Sequence, residues 1–446
     1  MKKNDLFTLT AESLGADLEG ICRLEGIPVF VPGLLPGETT DVRIVKAERR
    51  YAFGRMESSP PVPSSSRRGI DCAAYPRCGG CTGRHMDYAS TLEAKRQQVA
   101  DCFQRIGNLK VSVPPLLGAA SPFGYRNKTA LPVGGTVDAP YLGFYAPRSH
   151  TIIPISSCPN AKGPANEIAS AFLSWMKKYR IEPYHEEKRT GLIRHLVIRV
   201  NRAGESMVCI VATKDHLPHS SELIHTLQSL NVISLWLNQN PAATNVILSD
   251  RYCLLYGSNI LTERLFDLEF ELSPASFFQV NADQTEVLYQ TAIDMAQLHP
   301  SDLLCDVYCG VGSITLSMAR ACREAIGIEI VPAAIENARR NAKRNHIQNT
   351  TFFTGAAEDL LPQLVSDGLK PDVIVVDPPR KGLDQKVIFA ISQAQPDRLV
   401  YISCNPATLA RDAALLHQEG YSVQSVQPVD MFCWTSGIET VIQFSQ

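Results

Sequence analysis

The chain has 446 residues, 45% hydrophobic and 20% charged, with 43 Lys and Arg against 45 Asp and Glu. This is ordinary globular composition at a length that suits two to three domains of about 150 residues each. It excludes a wholly disordered chain, a collagen-like repeat and a small disulfide scaffold. No uncharged apolar run reaches the ~18 residues of a membrane span. The start, Met1-Lys2-Lys3-Asn4-Asp5-Leu6, lacks the apolar stretch of a secretory signal, so a cytoplasmic protein without a membrane partner is expected. The net charge of −2 removes the simple argument for nucleic acid from a high pI, but a local basic face remains open.

Residues 1 to about 58 read as short strands punctuated by Gly20, Gly26, Gly33 and Gly37, the pattern of a small barrel. Within them, Lys46-Ala47-Glu48-Arg49-Arg50-Tyr51-Ala52-Phe53-Gly54-Arg55 interleaves cations with aromatics, which suits phosphate contact and base stacking. Arg67-Arg68, Lys188-Arg189 and Arg194 add positive charge. The run Ser58-Ser59-Pro60-Pro61-Val62-Pro63-Ser64-Ser65-Ser66 reads as a linker. A cysteine-rich loop occupies 71–83, and a helix is predicted over about 88–106 with Lys95 and Arg96 facing out. From about 120 to 265 the pattern is mixed. Residues 196–200 and 207–211 pair as strands around a turn at Ala203-Gly204, and 165–178 form a helix. The last 165 residues alternate strand and amphipathic helix, with strands at 303–308, 325–330, 373–377, 399–403 and 438–444 and the clearest helix at 332–345. That alternation predicts a mostly parallel α/β sheet.

Thirteen cysteines without an export signal predict a reducing compartment, so clustered thiols read as ligands rather than disulfides. Cys72-x5-Cys78-x2-Cys81 places three soft ligands within ten residues, with Gly79 and Gly80 tightening the loop. Iron–sulfur and zinc ligation both fit, and Cys158, before Pro159, is the candidate fourth ligand.

Gly310 and Gly312 follow a strand and precede a helix, where backbone amides can approach a ligand. Glu329 lies nineteen residues beyond Gly310 at the end of the next strand, in place to accept ribose hydroxyls. Ile314 and Thr315 stand where a dinucleotide fingerprint wants its third glycine. A nucleoside without a pyrophosphate fits better, and S-adenosylmethionine is the obvious one. Asp377, before Pro378-Pro379-Arg380, ends a later strand at the same edge. Cys404, in Ser403-Cys404-Asn405-Pro406, ends another just before a helix whose N-terminus is expected to lower its pKa. Glu439 opens the last strand as a candidate base.

These residues carry a resemblance. The chain is similar to the RNA 5-methyluridine (uracil-C5) methyltransferase family, in its form with an N-terminal TRAM domain and an iron–sulfur cluster. The matching segments are Val29-Phe30-Val31-Pro32-Gly33 through Pro36-Gly37-Glu38, Cys72-x5-Cys78-Gly79-Gly80-Cys81, and Phe277-Phe278-Gln279-Val280-Asn281. They continue with Asp306-x-Tyr308-Cys309-Gly310-x-Gly312, Asp377-Pro378-Pro379-Arg380-Lys381-Gly382 and Ser403-Cys404-Asn405-Pro406-x-Thr408-x3-Asp412. The resemblance implies an α/β fold: a class I S-adenosylmethionine-dependent methyltransferase (Rossmann-like) domain at 271–446. It also implies a TRAM/OB-like barrel at 1–60 that binds RNA, and an iron–sulfur loop with a mixed α+β central domain at 61–270, the helix at 88–106 packing on the catalytic domain. Cys404 would be the nucleophile and Glu439 the base. Gln279, Tyr308, Gly310, Gly312, Glu329 and Asp377 would bind S-adenosylmethionine, Gln279 and Asp377 also reaching the uracil. Cys72, Cys78, Cys81 and Cys158 would hold a [4Fe–4S] cluster. The expected substrate is 23S rRNA, acted on by a monomer, with tRNA as the alternative. The family usually reads Phe-Pro-x-Thr-x-His before the acid. Here Cys433 replaces the proline and Gly437 the histidine, while Thr435 and Glu439 remain. That departure leaves a catalytically degenerate RNA-binding iron–sulfur protein as the non-enzymatic reading. A radical methylthiotransferase needs Cys-x3-Cys-x2-Cys, which is absent.

Overall fold

The computed structural model describes residues 1–446. Strands Leu6–Leu14, Gly20–Leu24, Ile27–Val31, Thr39–Ala47 and Ala52–Met56 close into a barrel, with the last two exchanged in spatial order. Period-two alternation explains the closure: Thr40, Val42 and Ile44 point in and Asp41 points out. Val42 and Ile44 meet Leu9, Cys22, Val29 and Val31 in a small core. The Ser/Pro-rich stretch that follows is fastened at its far end. The fully buried Glu38 carboxylate accepts from Leu35 N (2.8 Å), Ser64 N (3.0 Å) and Arg67 Nε (2.6 Å). Arg67 and the two amides hold the Glu38 carboxyl below its usual range against the cost of burial.

Helix Tyr88–Cys102 starts where Asp87 accepts from Ser90 N (2.8 Å) and ends in a π-turn over Phe103–Gly107. Val99 and Phe103 join Leu409, Ala410 and Ala413 of helix Pro406–Gln418 in one core. The sequence placed Lys95 on the outer face. It is instead fully buried, in line with Thr91 and Val99 at four-residue spacing. Burial is tolerated because the ammonium meets the Asp430 carboxylate at 2.5 Å. Arg96 stays partly exposed, paired with Glu93.

A seven-stranded central sheet holds the antiparallel pair Ile193–Val200 and Ser206–Ala212, joined through Gly204 in the left-handed region (φ 81°). Helices Ala165–Lys178 and Ser220–Gln228 cover one face, where Ile168, Phe172, Leu223 and Leu227 pack on Leu196, Ile198 and Ile210.

The C-terminal sheet runs Thr350–Thr354, Glu324–Glu329, Leu303–Val307, Val373–Val376, Arg398–Ser403, Glu439–Ser445, Ser422–Val429. Its first five strands are parallel, and Glu439–Ser445 pairs antiparallel on both sides. Apolar cores fill both faces, as a parallel sheet requires. The two outermost strands were absent from the sequence reading. Hairpin Leu261–Leu265 and Leu268–Leu272 sends Leu265, Leu268, Phe270 and Leu272 into this same core.

Candidate active site

The strand registers assemble the site. Val307 pairs with Ile328 on one side and Val376 on the other, and Val376 pairs with Tyr401. The next residues, Tyr308, Glu329 and Asp377, therefore leave the sheet at one level. Ser403 faces Thr440 in the antiparallel pair, so Cys404 and Glu439 are next in register at the same edge.

Glu329 holds the glycine turn in place: its Oε2 accepts from Gly310 N (3.2 Å) and its Oε1 from Val331 N (2.9 Å). Gly310 (φ 56°) and Gly312 (φ 81°) both need the left-handed region. Tyr308 sits there too (φ 76°), held by Tyr308 N and Cys309 N donating together to Ile328 O at 2.9 Å. A non-glycine residue so placed costs roughly 1–3 kcal/mol and is over-determined by its surroundings.

Gln279 is buried, on a segment anchored from both ends. Asn127 Nδ2 donates to Gln279 O (3.0 Å), and Asn281 caps helix Ala282–Ala296 while donating to Met431 O (3.1 Å). Phe278 enters the core, whereas the adjoining Phe277 is 74% exposed.

The Ser-Cys-Asn-Pro turn carries the proline loop. Asn405 Oδ1 caps helix Pro406–Gln418 at Ala407 N (3.1 Å), and its Nδ2 donates to Arg380 O (3.1 Å). Thr408 Oγ1 donates to the same carbonyl (3.3 Å). Asp412 accepts from Leu383 N and Tyr401 OH, both at 2.8 Å. Gly382 (φ 79°) lies against Asp412 and Arg411, with no room for a side chain.

Cys404 lies beside carboxyl groups that burial pushes towards their neutral forms. Burial pushes the Asp306 carboxyl up to about 7, although Thr315 Oγ1 donates to one of its oxygens. The other oxygen is buried without a partner. Asp377 is pushed up to about 7 by burial and by Asp306. Glu439 rises well above the carboxylate range through burial and then Asp377, with Arg380 opposing. The Cys404 thiol was expected to be acidified by the helix terminus. It is instead raised, by burial first and then by Glu439 and Asp377, again with Arg380 opposing. Lost water and then two neighbouring carboxyls outweigh Arg380 and a backbone hydrogen bond. When ionised, Asp377 and Glu439 would complement a cation such as a sulfonium, with Arg380 opposing.

The altered loop before Glu439 is packed. Cys433 and Trp434 are buried, and Trp434 O accepts from both Thr82 N and Gly83 N at 3.0 Å. Trp434 Nε1 donates to Pro122 O (2.8 Å), and the Arg68 guanidinium stacks 4.6 Å from its ring. The cysteine-rich loop thus holds the turn that the family's proline and histidine would occupy.

Cys72, Cys78, Cys81 and Cys158 line one cavity with Arg84, Arg126 and Asn160. None is disulfide-bonded. No group of three or more His, Cys, Asp or Glu side chains is placed to hold a metal ion.

Of the expected basic residues, Arg67 is tied to Glu38, and Arg194 is buried, donating to Asn240 O and Ala242 O. They are not free for phosphate. Phe30, Tyr51 and Phe53 form a triad on the barrel with centroids 5.6–6.3 Å apart, and Arg148 lies 5.6 Å from the Phe53 ring. Sequence reasoning gave no role to Asp306, Tyr289 or the Lys95–Asp430 pair. The signal for Asp306 is an aspartate in the middle of the apolar strand Leu303–Val307. Tyr289, whose hydroxyl meets Ser313 Oγ at 3.0 Å, gave none.

A model of the family described as tRNA (Uracil-5-)-methyltransferase matches residues 258–446, and a TRAM domain model matches residues 6–56. A Listeria innocua protein described as an RNA methyltransferase is 44% identical over 445 residues, covering 99% of this chain and 98% of that protein. A Clostridium tetani protein of the same description is 39% identical, covering 99% of this chain and 96% of that protein. Among solved structures, the Pyrococcus abyssi tRNA (uracil-54, C5)-methyltransferase in complex with S-adenosyl-L-homocysteine aligns with a TM-score of 0.78 at 25% identity. The alignment covers 98% of this chain and all of that one.

Proposed function

The chain belongs to the tRNA (uracil-5-)-methyltransferase family, and from that membership we propose that Cys404 and Glu439 carry out nucleophilic and base steps on an RNA uracil. The protein is an RNA uracil-5 methyltransferase dependent on S-adenosylmethionine, with a TRAM barrel and a class I methyltransferase fold. The observation that carries the mechanism is the register that sets Cys404 beside Glu439 at the sheet edge shared by Tyr308, Glu329 and Asp377.

Carbon 5 of uracil is a poor nucleophile. Cys404, as thiolate, adds to carbon 6, and the electron pair moves to carbon 5 as an enolate. Carbon 5 takes the methyl group from the sulfonium, whose sulfur keeps the bonding pair. Glu439 then removes the carbon 5 proton, the 5,6 double bond re-forms and the Cys404 sulfur leaves. Glu439 must be ionised to take this proton; burial and Asp377 oppose that, and Arg380 favours it. Glu329 would receive the ribose hydroxyls, Gly310 and Gly312 would admit the donor close to the backbone, and Gln279, Tyr308 and Asp377 would line it. Stacked bases cannot reach this crevice, so the target uridine is flipped out or lies in a loop. The Phe30–Tyr51–Phe53 platform and the exposed Arg49 and Arg50 would grip the flanking strand.

Cys72, Cys78, Cys81 and Cys158 would hold an iron–sulfur cluster; what supports this is that four thiols free of disulfides line one cavity. The cluster would supply a structural cross-link between the loop and the central domain. No step of methyl transfer needs an electron from it.

We favour 23S rRNA as substrate, from the resemblance to the four-cysteine form. Transfer RNA is the second reading, favoured by the substrate named for the Pyrococcus abyssi relative. Mass mapping of 5-methyluridine in rRNA and tRNA from a deletion strain separates them. For the mechanism, Cys404→Ala is expected to abolish turnover while RNA binding persists, and full methylation by that variant would remove it.

A further inference from the structure

The loop from Asp430 to Ile438 delivers Glu439 to the site, and its two ends meet at one atom. Lys95 Nζ donates to Asp430 Oδ1 (2.5 Å), Phe432 O (3.1 Å) and Gly437 O (2.8 Å). All three ammonium protons are used, and both Lys95 and Asp430 are at most 1% exposed. Asp430 is fixed from elsewhere as well: Tyr88 OH donates to its Oδ2 (2.6 Å), and Gln284 Nε2 donates to its carbonyl (3.2 Å).

Buried ion pairs contribute little to stability, and apolar side chains of similar volume often serve as well or better. Thr91 and Val99 fill the same helix face without a charge. Lysine instead supplies three donors that fix where the loop turns back, and Gly437 lies two residues before Glu439. The family's histidine position is Gly437 here, which offers no side chain of its own.

We propose that Lys95 is a positioning residue for Glu439, acting through Asp430 and the Phe432 and Gly437 carbonyls to hold the base in reach of carbon 5. The inference rests on the mechanism above. It assigns Lys95 to proton removal and thiol release rather than to thiol addition or RNA binding.

The test uses the full chain with RNA and S-adenosylmethionine, run on denaturing gels beside Glu439→Gln. Lys95→Met keeps the length and removes the donors, while Asp430→Asn keeps the shape and removes the counter-charge. A misplacement of about 1 Å costs up to ~100-fold in such a step. Turnover by Lys95→Met should therefore fall by about tenfold or more. A slow-migrating protein–RNA band should rise above wild type, and RNA and donor affinities should stay within about threefold of wild type. Asp430→Asn should show the same pattern, weaker. If Lys95→Met does not fold, Asp430→Asn decides by the same criteria. Folded variants without the band overturn the inference, whether turnover is unchanged or falls together with RNA affinity. If Glu439→Gln itself shows no band, the mechanism fails, which is a separate result from Lys95 failing alone.

Discussion

Asp306 holds a carboxylate in the interior with one oxygen bonded to Thr315 and the other unpartnered, and burial lifts its pKa from 3.8 to about 7. The folded protein therefore keeps a proton there that the unfolded chain gives up near pH 4. Stability from this residue is complete below pH 4, falls as pH rises and levels above about 7, because the folded state binds the extra proton across that window. At 1.36 kcal/mol per pKa unit the full loss is at most about 4 kcal/mol. Asp306→Asn retains the neutral shape and removes the titration. In donor-free protein the variant should match wild type at about pH 4 and exceed it by about 2–4 kcal/mol at pH 8. Urea unfolding at both pH values measures this difference; Asp377, which Asp306 pushes up, titrates lower in the variant and adds to it in the same direction. A difference independent of pH, or a variant weaker than wild type at pH 8, would refute the assignment of a charge held against burial.

The same carboxylates predict how the site treats its ligands. S-adenosylmethionine carries a sulfonium and S-adenosylhomocysteine does not. The ratio of their affinities should thus rise through neutral pH as Asp306 and Asp377 ionise, by up to about tenfold per pH unit; calorimetric titration at pH 6 and pH 8 reads it, and a flat ratio argues against an anionic crevice. On the barrel, Phe53→Ala and Tyr51→Ala should each weaken RNA binding by about fivefold to a hundredfold, the worth of one stacked base. Donor affinity should not change, and unaltered RNA binding would remove the platform from the account.

The strands of the C-terminal sheet that carry the site were legible because each is a short apolar run ended by glycine, proline or a polar turn. The outermost strands were not. Thr350–Thr354 is five residues long, and Ser422–Val429 carries Gln and Ser on an edge where only one side is paired. Helix Ala165–Lys178 was clear from its periodicity and the barrel from its alternation. Lys95 was misread for a physical reason: one sequence cannot show that a lysine's counter-ion lies 335 positions away. The Cys404 thiol was misjudged similarly. The helix start beside it is local, but Glu439 and Asp377 reach it only through strand pairing. The motif Ser403-Cys404-Asn405-Pro406 with Thr408 and Asp412 marked the site, and the structure gives its spacing a cause. Asn405, Thr408 and Asp412 bind the loop that bears Arg380 and Gly382.

The central claim is a transient bond between the Cys404 sulfur and carbon 6 of a uracil. Mass spectrometry of Glu439→Gln protein, digested after incubation with RNA and S-adenosylmethionine, tests it most directly. The account predicts a peptide containing Cys404 heavier by a methylated uridine nucleotide, and no such peptide from the Cys404→Ala, Glu439→Gln double variant. An unmodified Cys404 peptide from a sample in which uridine has become methylated would contradict it.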